Sequence, residues 1–190
     1  MLSENILEIL KVEQRSGTQK IALNPDAYEF YLKGKHKYEK REYAEETEIA
    51  RGLLKKAIEL DENLIAAQHL LGSTYSGIGD WDKVFEIYSS ALKRAEQLGD
   101  KMWIGRSIRK IGNSFYGKGD QYKALENWEK SLAIAEEIGD KSGMSGSLNN
   151  IGLVHHGQKD YDKSLEYHSR SLIINEELGD KSSIASNLSN

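Results

Sequence analysis

Apolar residues recur along this chain at helical spacing. Ile104, Ile108, Ile111 and Phe115 fall at intervals of four, three and four. Leu125, Trp128, Leu132, Ala135 and Ile138 follow at three, four, three and three. Such spacing places one apolar stripe along each of two helices. The stripes are punctuated by a dipeptide at a fixed interval: Gly79-Asp80, Gly99-Asp100, Gly119-Asp120, Gly139-Asp140 and Gly179-Asp180, with Lys159-Asp160 in the remaining slot. Glycine is favoured just past a helix C-terminus, where the chain turns left-handed. Aspartate is a favoured N-cap, its carboxylate accepting the free amide hydrogens of the next helix. The pattern predicts an all-α chain of helices joined by tight turns.

Alternate turns differ in their surroundings, so the repeating unit spans two of these intervals. Residues 99–138 set against 139–178 share 16 identities in 40 positions. Each unit reads as a helical hairpin, with a first helix (A) near 101–117 and a second (B) near 121–138 in the clearest copy. Gly72, Gly112 and Gly152 recur inside helix A. An interior helical Gly costs about 1 kcal/mol against Ala. Its repetition at one position predicts close contact between helices A and B of the same hairpin.

On these residues the chain resembles the tetratricopeptide repeat family. That pattern has a large apolar residue with Gly, then an aromatic, on helix A. A small residue, an aromatic and another small residue follow on helix B. Here Leu71-Gly72 and Tyr75 precede Val84, Tyr88 and Ala91. Ile111-Gly112 and Phe115 precede Ala124, Trp128 and Ser131, and Ile151-Gly152 and His155 precede Ser164, His168 and Ser171. The units are longer than the common form of the repeat and resemble the lengthened repeats of kinesin light chains and of bacterial peptide-sensing regulators. The implied fold is a right-handed superhelical solenoid of antiparallel helix hairpins.

The expected hairpins are about 25–62, 63–99, 100–139 and 140–179, with 180–190 starting a fifth. In the first, Asn24 caps a helix with Pro25 at its first position, and a long A–B loop is expected around Lys40–Thr47. At 99, 139 and 179, Gly-Asp stands where the shorter repeat uses proline. Lys159 is expected to be tolerated if Gly157 takes part of the turn. Residues 1–24 do not read as a repeat; Leu2, Ile6, Ile9 and Leu10 are expected to lie on a short amphipathic helix, with a linker after it. The run Asn24 to Gly34 resembles the first repeat after a TolB-like segment in bacterial nucleotide cyclases and related signalling proteins. The absence of a polar capping helix after 180 leads to the expectation of a fragment of a longer protein.

Composition narrows the chemistry. The chain has 190 residues, net charge -4 and no cysteine. There is no thiolate metal site or disulfide framework, and the acidic balance disfavours nucleic acid. No apolar run approaches the roughly 20 residues of a membrane span, and Met1-Leu2-Ser3-Glu4 lacks the basic start of a signal peptide; a cytoplasmic location is expected. The glycines follow no strand and form no phosphate loop. Pairs such as Glu136-Glu137 point about 100° apart on a helix and suit solvent rather than paired acid–base work. No catalytic set, cofactor or metal site is expected: His155 and His168 fall in packing slots, and His69 and His156 lie two repeats apart.

The family resemblance implies a concave groove lined by helix A. Its groove-facing positions carry over to His69 and Ser73 in the second hairpin, Arg106, Arg109, Asn113 and Tyr116 in the third, and Asn149, Leu153 and His156 in the fourth, with Gly146 a turn before. Two guanidinium groups one turn apart can clamp a carboxylate, and Asn can bond a peptide backbone in both directions. The alternative for Arg106 and Arg109 is pairing with helix-end acids. Trp103 has Gly143 and Ser183 as counterparts; it is either a binding anchor or a packing residue. The implied function is a protein-binding scaffold taking a partner protein or peptide, acidic or C-terminal in character. The alternative is a regulatory or self-associating arm of a signalling enzyme such as a cyclase.

Overall fold

The computed structural model describes residues 24–189, so the expected helix over Leu2–Leu10 lies outside the described residues. Helices alone make up the regular structure of these residues. They fall into two compact units, one ending at Asp100 and one beginning at Lys101. The first holds α1 (Pro25–Glu39), α2 (Ala44–Leu60), α3 (Ile65–Ser76) and α4 (Trp81–Leu98). The second holds α5 (Lys101–Gly117), α6 (Gln121–Ile138), α7 (Lys141–Gly157), α8 (Tyr161–Leu178) and α9 (Lys181–Ser189). Within each unit consecutive helices pack as antiparallel pairs.

The helix ends obey the turn chemistry. Asn24 Oδ1 accepts from the amides of Asp26 and Ala27 at 3.0 and 3.3 Å, with Pro25 following at the first helical position. Asp80 and Asp120 each accept from the amide three residues on, at 3.1 Å. Gly99, Gly139 and Gly179 take φ of 66°, 70° and 68°. There the following aspartate amide bonds back to the last turn, as Asp140 N does to Ala135 O at 2.9 Å. This is the left-handed C-cap that glycine accommodates without strain.

Two turns depart from expectation. Gly157 does not take up the turn before α8; Lys159 itself adopts φ 61°. The hydrogen bonds explain it: Asp160 N reaches His155 O at 2.9 Å, the same closure that Asp120 N makes with Phe115 O at 2.9 Å. That closure fixes the left-handed residue at 159 whatever its side chain. The loop after α1 is also shorter than Lys40–Thr47, because α2 already begins at Ala44. The Glu46 carboxylate reaches back to accept from the Glu42 amide at 2.6 Å, and Glu45 and Glu46 suit the positive end of the helix.

The cores form between helices A and B. In the first unit Ala27, Tyr28, Leu54, Ala57, Leu64, Ala67 and Leu71 pack together. In the second, Ala124, Trp128, Ile151 and Val154 do so, with Phe115, Leu125, Leu132 and Tyr167 against them. The repeated glycines sit against the ring of helix B. A Cβ at Gly72 would fall 2.6 Å from Tyr88, one at Gly112 2.6 Å from Trp128, and one at Gly152 2.9 Å from His168. No side chain fits there without displacing the ring, which is the geometric reason for a residue that weakens the helix.

Candidate functional site

The buried rings tie helix B to helix A through polar atoms. Tyr88 donates its hydroxyl to His69 O at 3.0 Å and lies 3.1 Å from Ser73 Oγ. Ser73 Oγ also donates to His69 O at 3.0 Å, and the His69 ring meets Tyr88 edge-on at 5.0 Å. His69 and Ser73 are therefore engaged with Tyr88. Trp128 Nε1 donates to Arg109 O and Asn113 Oδ1 at 3.1 and 2.9 Å. Asn150 Nδ2 donates to the same Asn113 oxygen at 2.9 Å. Asn113 thus links two A helices of the second unit.

The two arginines differ. Arg106 Nε and Nη2 donate to the Asp140 carboxylate at 3.1 and 3.4 Å, and its guanidinium lies over Trp103 at 5.5 Å. Burial pushes the Asp140 carboxyl up; the Arg106 bond, the Gly143 amide and the charges of Arg106 and Arg109 outweigh it and hold the group below the usual carboxylate range. Arg109 instead lies across α7 where Gly146 has no side chain. A Cβ at 146 would fall 2.8 Å from its Nη1 and 3.0 Å from its Cζ. Next to it, burial and the Arg109 charge push the Lys110 ammonium down to about 8.

Arg109 forms one wall of a cavity of about 150 Å³ in the second unit. The other walls are Ser145, Gly146, Asn149 and Asn150 of α7, Ser171 and Asn175 of α8, and Ser183 and Asn187 of α9. A chain of hydrogen bonds orders this lining. Ser145 Oγ donates to Asn175 Oδ1 at 2.5 Å, and Asn175 Nδ2 to Asn187 Oδ1 at 2.8 Å. Asn187 Nδ2 reaches His168 O at 3.3 Å and Asn149 Oδ1 at 3.5 Å. One fixed positive charge, several amides and hydroxyls, and no carboxylate in the lining make an environment suited to a small anionic or strongly accepting group.

The structure brings Arg109, Asn149 and Gly146 to this cavity, with Asn113 one bond away through Asn150. Tyr116, 40% exposed, tilts against Trp128 at 5.5 Å. His156 meets Tyr161 edge-on at 5.7 Å, and Leu153 is half-buried. Sequence reasoning missed Ser145, Ser171, Asn175, Ser183 and Asn187. A signal was present: Asn175 replaces the Ala135 of the preceding unit in an otherwise apolar stripe. Among the described residues no group of three or more His, Asp or Glu is placed to hold a metal ion, and no helix is long and apolar enough to cross a membrane.

Comparisons agree with this architecture. Aspartyl phosphate phosphatase F from Bacillus subtilis superposes with TM-score 0.72 at 18% identity, over 85% of this chain and 43% of that one. The apo form of RapI gives 0.65 at 18% identity, over 98% and 52%. The chain thus spans about half the length of these two proteins. MamA gives 0.56 at 23% identity, over 93% and 88%. At these identities the likeness is one of fold. Comparison with curated proteins yields no significant match. Two family models, each described as tetratricopeptide repeat, match residues 63–137 and 145–180. With the helix pairs, the A–B glycine contacts and the ring slots all in place, the chain is a tetratricopeptide repeat protein.

Proposed function

We propose that the chain is a non-enzymatic scaffold, and that its second unit binds a partner protein or peptide by seating an acidic side chain or C-terminal carboxylate beside Arg109. The observation that carries this is the cavity itself: Arg109 held over Gly146 among Asn149, Asn150 and Asn187, with no carboxylate in the wall. Arg106 is the weaker candidate, since it is not among the residues that line the cavity. Tyr116, Leu153 and His156 complete the proposed contact set of this unit, on the same reasoning from the family. His69 and Ser73 are the corresponding groove positions of the first unit.

The test uses a fluorescein-labelled peptide of alternating Gly and Glu with a free C-terminus, beside a Gln counterpart with an amidated end. Fluorescence anisotropy is expected to show the acidic probe binding more tightly, and Arg109→Ala to weaken it at least tenfold. Arg106→Ala is expected to change it less than threefold. Equal binding of both peptides, or indifference to Arg109→Ala, overturns the assignment.

A second reading has one observation behind it. Leu165 is 69% exposed, whereas its repeat counterpart Leu125 is packed against the core. That edge of α8 suits further protein, including self-association, which concentration-dependent light scattering would reveal. The signalling-arm reading, with a cyclase or similar enzyme elsewhere, rests on the Asn24–Gly34 run alone.

A further inference from the structure

The buried ring of the fourth hairpin is held differently from its counterparts. Tyr88 and Trp128 each satisfy their polar atom on helix A, using Ser73 or Asn113 together with a backbone carbonyl. The position of Ser73 and Asn113 is Leu153 in the fourth hairpin, which has nothing to offer a ring nitrogen. His168 therefore turns to a different residue: its Nδ1 lies 3.1 Å from Asn149 Oδ1. An amide oxygen only accepts, so Nδ1 carries the hydrogen. The other nitrogen, Nε2, is buried with no hydrogen-bond partner among the described residues. The ring is 6% exposed and lies against Gly152, so water does not readily solve the problem.

We propose that His168 is a positioning residue and proton sensor for the cavity: neutral, it fixes the Asn149 carboxamide in the wall through Nδ1–H; doubly protonated, its ring moves toward water, releases Asn149 and loosens the wall. The second proton must enter on Nε2. It would bring a charge and an unmatched N–H into a buried place, which is unfavourable unless the ring moves toward water. Because Asn149 Oδ1 accepts from both His168 Nδ1–H and Asn187 Nδ2, movement of the ring removes one of its two donors and disturbs the Asn149 carboxamide, while the Asn187 bond to the His168 backbone carbonyl stays in place.

The surrounding charges reinforce this. Burial, and then the positive charge of His156 on α7, hold the imidazole below its ordinary value. His155, also on α7, stacks on Tyr167 and faces Asp160 at 3.8 Å. On α9 the charged residue is Lys181, at its first position. On α8 itself Arg170 is turned to Glu136 at 3.3 Å, and Glu166 is exposed. Among the described residues no carboxylate is set against the ring to stabilise the imidazolium. With the folded value lowered, the unfolded chain binds the proton more readily. The hairpin is then fully stable above about pH 6.5, weakens as pH falls below it, and levels off below the folded value.

This regulation rests on the proposed binding site, but its first test does not. In the full chain, isotope-labelled for NMR, the His168 imidazole and the Asn149 side-chain amide are followed from pH 8 to 5. The expected result is a His168 midpoint below about 6.5, with the Asn149 amide shifting at that same midpoint. His168→Tyr, which restores the ring type of Tyr88, should remove that inflection from Asn149. Should His168→Tyr not fold, His156→Ala serves: it should raise the His168 midpoint and carry the Asn149 shift with it. A midpoint at or above 6.5, or an Asn149 amide that stays flat through it, overturns the proposal. The acidic peptide probe is then titrated at pH 7.5 and 5.5, with a severalfold loss expected in the native chain and not in His168→Tyr. A coupled Asn149 response without any change in probe affinity sinks the binding-site reading while leaving the positioning role standing.

Discussion

The third and fourth hairpins share 16 identities between 99–138 and 139–178 and one backbone plan, yet they are built from different interiors. Between α5 and α6 the buried positions of helix B are Ala124, Trp128, Ser131 and Ala135. Between α7 and α8 they are Ser164, His168, Ser171 and Asn175. The first set excludes water by filling space around a large ring. The second replaces that filling with a hydrogen-bonded chain running from Ser145 through Asn175 and Asn187 to Asn149. Apolar contact has no direction and tolerates adjustment, whereas a buried polar chain is stable only when each member is matched. The scaffold is therefore shared, and the polar interior is where a cavity and a titratable ring can exist.

Breaking the third interior should have the largest effect. Trp128→Ala is expected to destabilise the second unit by about 3–5 kcal/mol in urea denaturation. His168→Ala should cost less, since the imidazole has less apolar area and already leaves one nitrogen unmatched. Equal losses would mean that the two interiors are not different in kind. The glycine contacts sharpen the same contrast: Gly112→Ala should cost about 1–3 kcal/mol by overpacking against Trp128, and Gly152→Ala somewhat less, because its added carbon would stand 2.9 rather than 2.6 Å from the ring.

The junction between the two hairpins comes next. Asp140 caps α7 through the Gly143 amide at 3.1 Å and receives Arg106. Asp140→Ala should cost about 1–2 kcal/mol. Its carboxyl is held below the usual range, so this contribution is present above about pH 4 and is lost as pH falls through the lower folded value. A mutant whose deficit persists unchanged under acid would deny the charge a role. The smallest effect is at the turns. Lys159 holds φ 61° where the third hairpin has Gly119 at φ 85°. Lys159→Gly should stabilise by about 1 kcal/mol, and Gly119→Lys should destabilise by a similar amount. Matched thermal melts of the two variants would show whether the turns are interchangeable.

Much of the scaffold was legible because its signals are local. Asp120 caps α6, Gly139 ends it, and Trp128 lies on its apolar stripe; each follows from neighbours close by in the chain. The turn at Lys159 was not legible because its geometry is imposed by closure between His155 and Asp160, not by the residue's own preference. The candidate site was legible only in part. Arg109 and Asn149 followed from the helix-A register, but Asn175 and Asn187 come from two other helices. Nothing in their local spacing links them to Arg109.

Sequence alone determined that this chain is helical, where its helices stop, and that it repeats hairpin by hairpin at a fixed interval, because capping, glycine turns and apolar periodicity act over one or two turns of chain. Tertiary structure decided that Arg106 bonds Asp140 and that Arg109 lies over Gly146 at the cavity. It also decided that His168 bonds Asn149 and keeps one nitrogen unmatched. Those outcomes depend on angles and distances between helices, where a shift of about one ångström makes or removes a hydrogen bond.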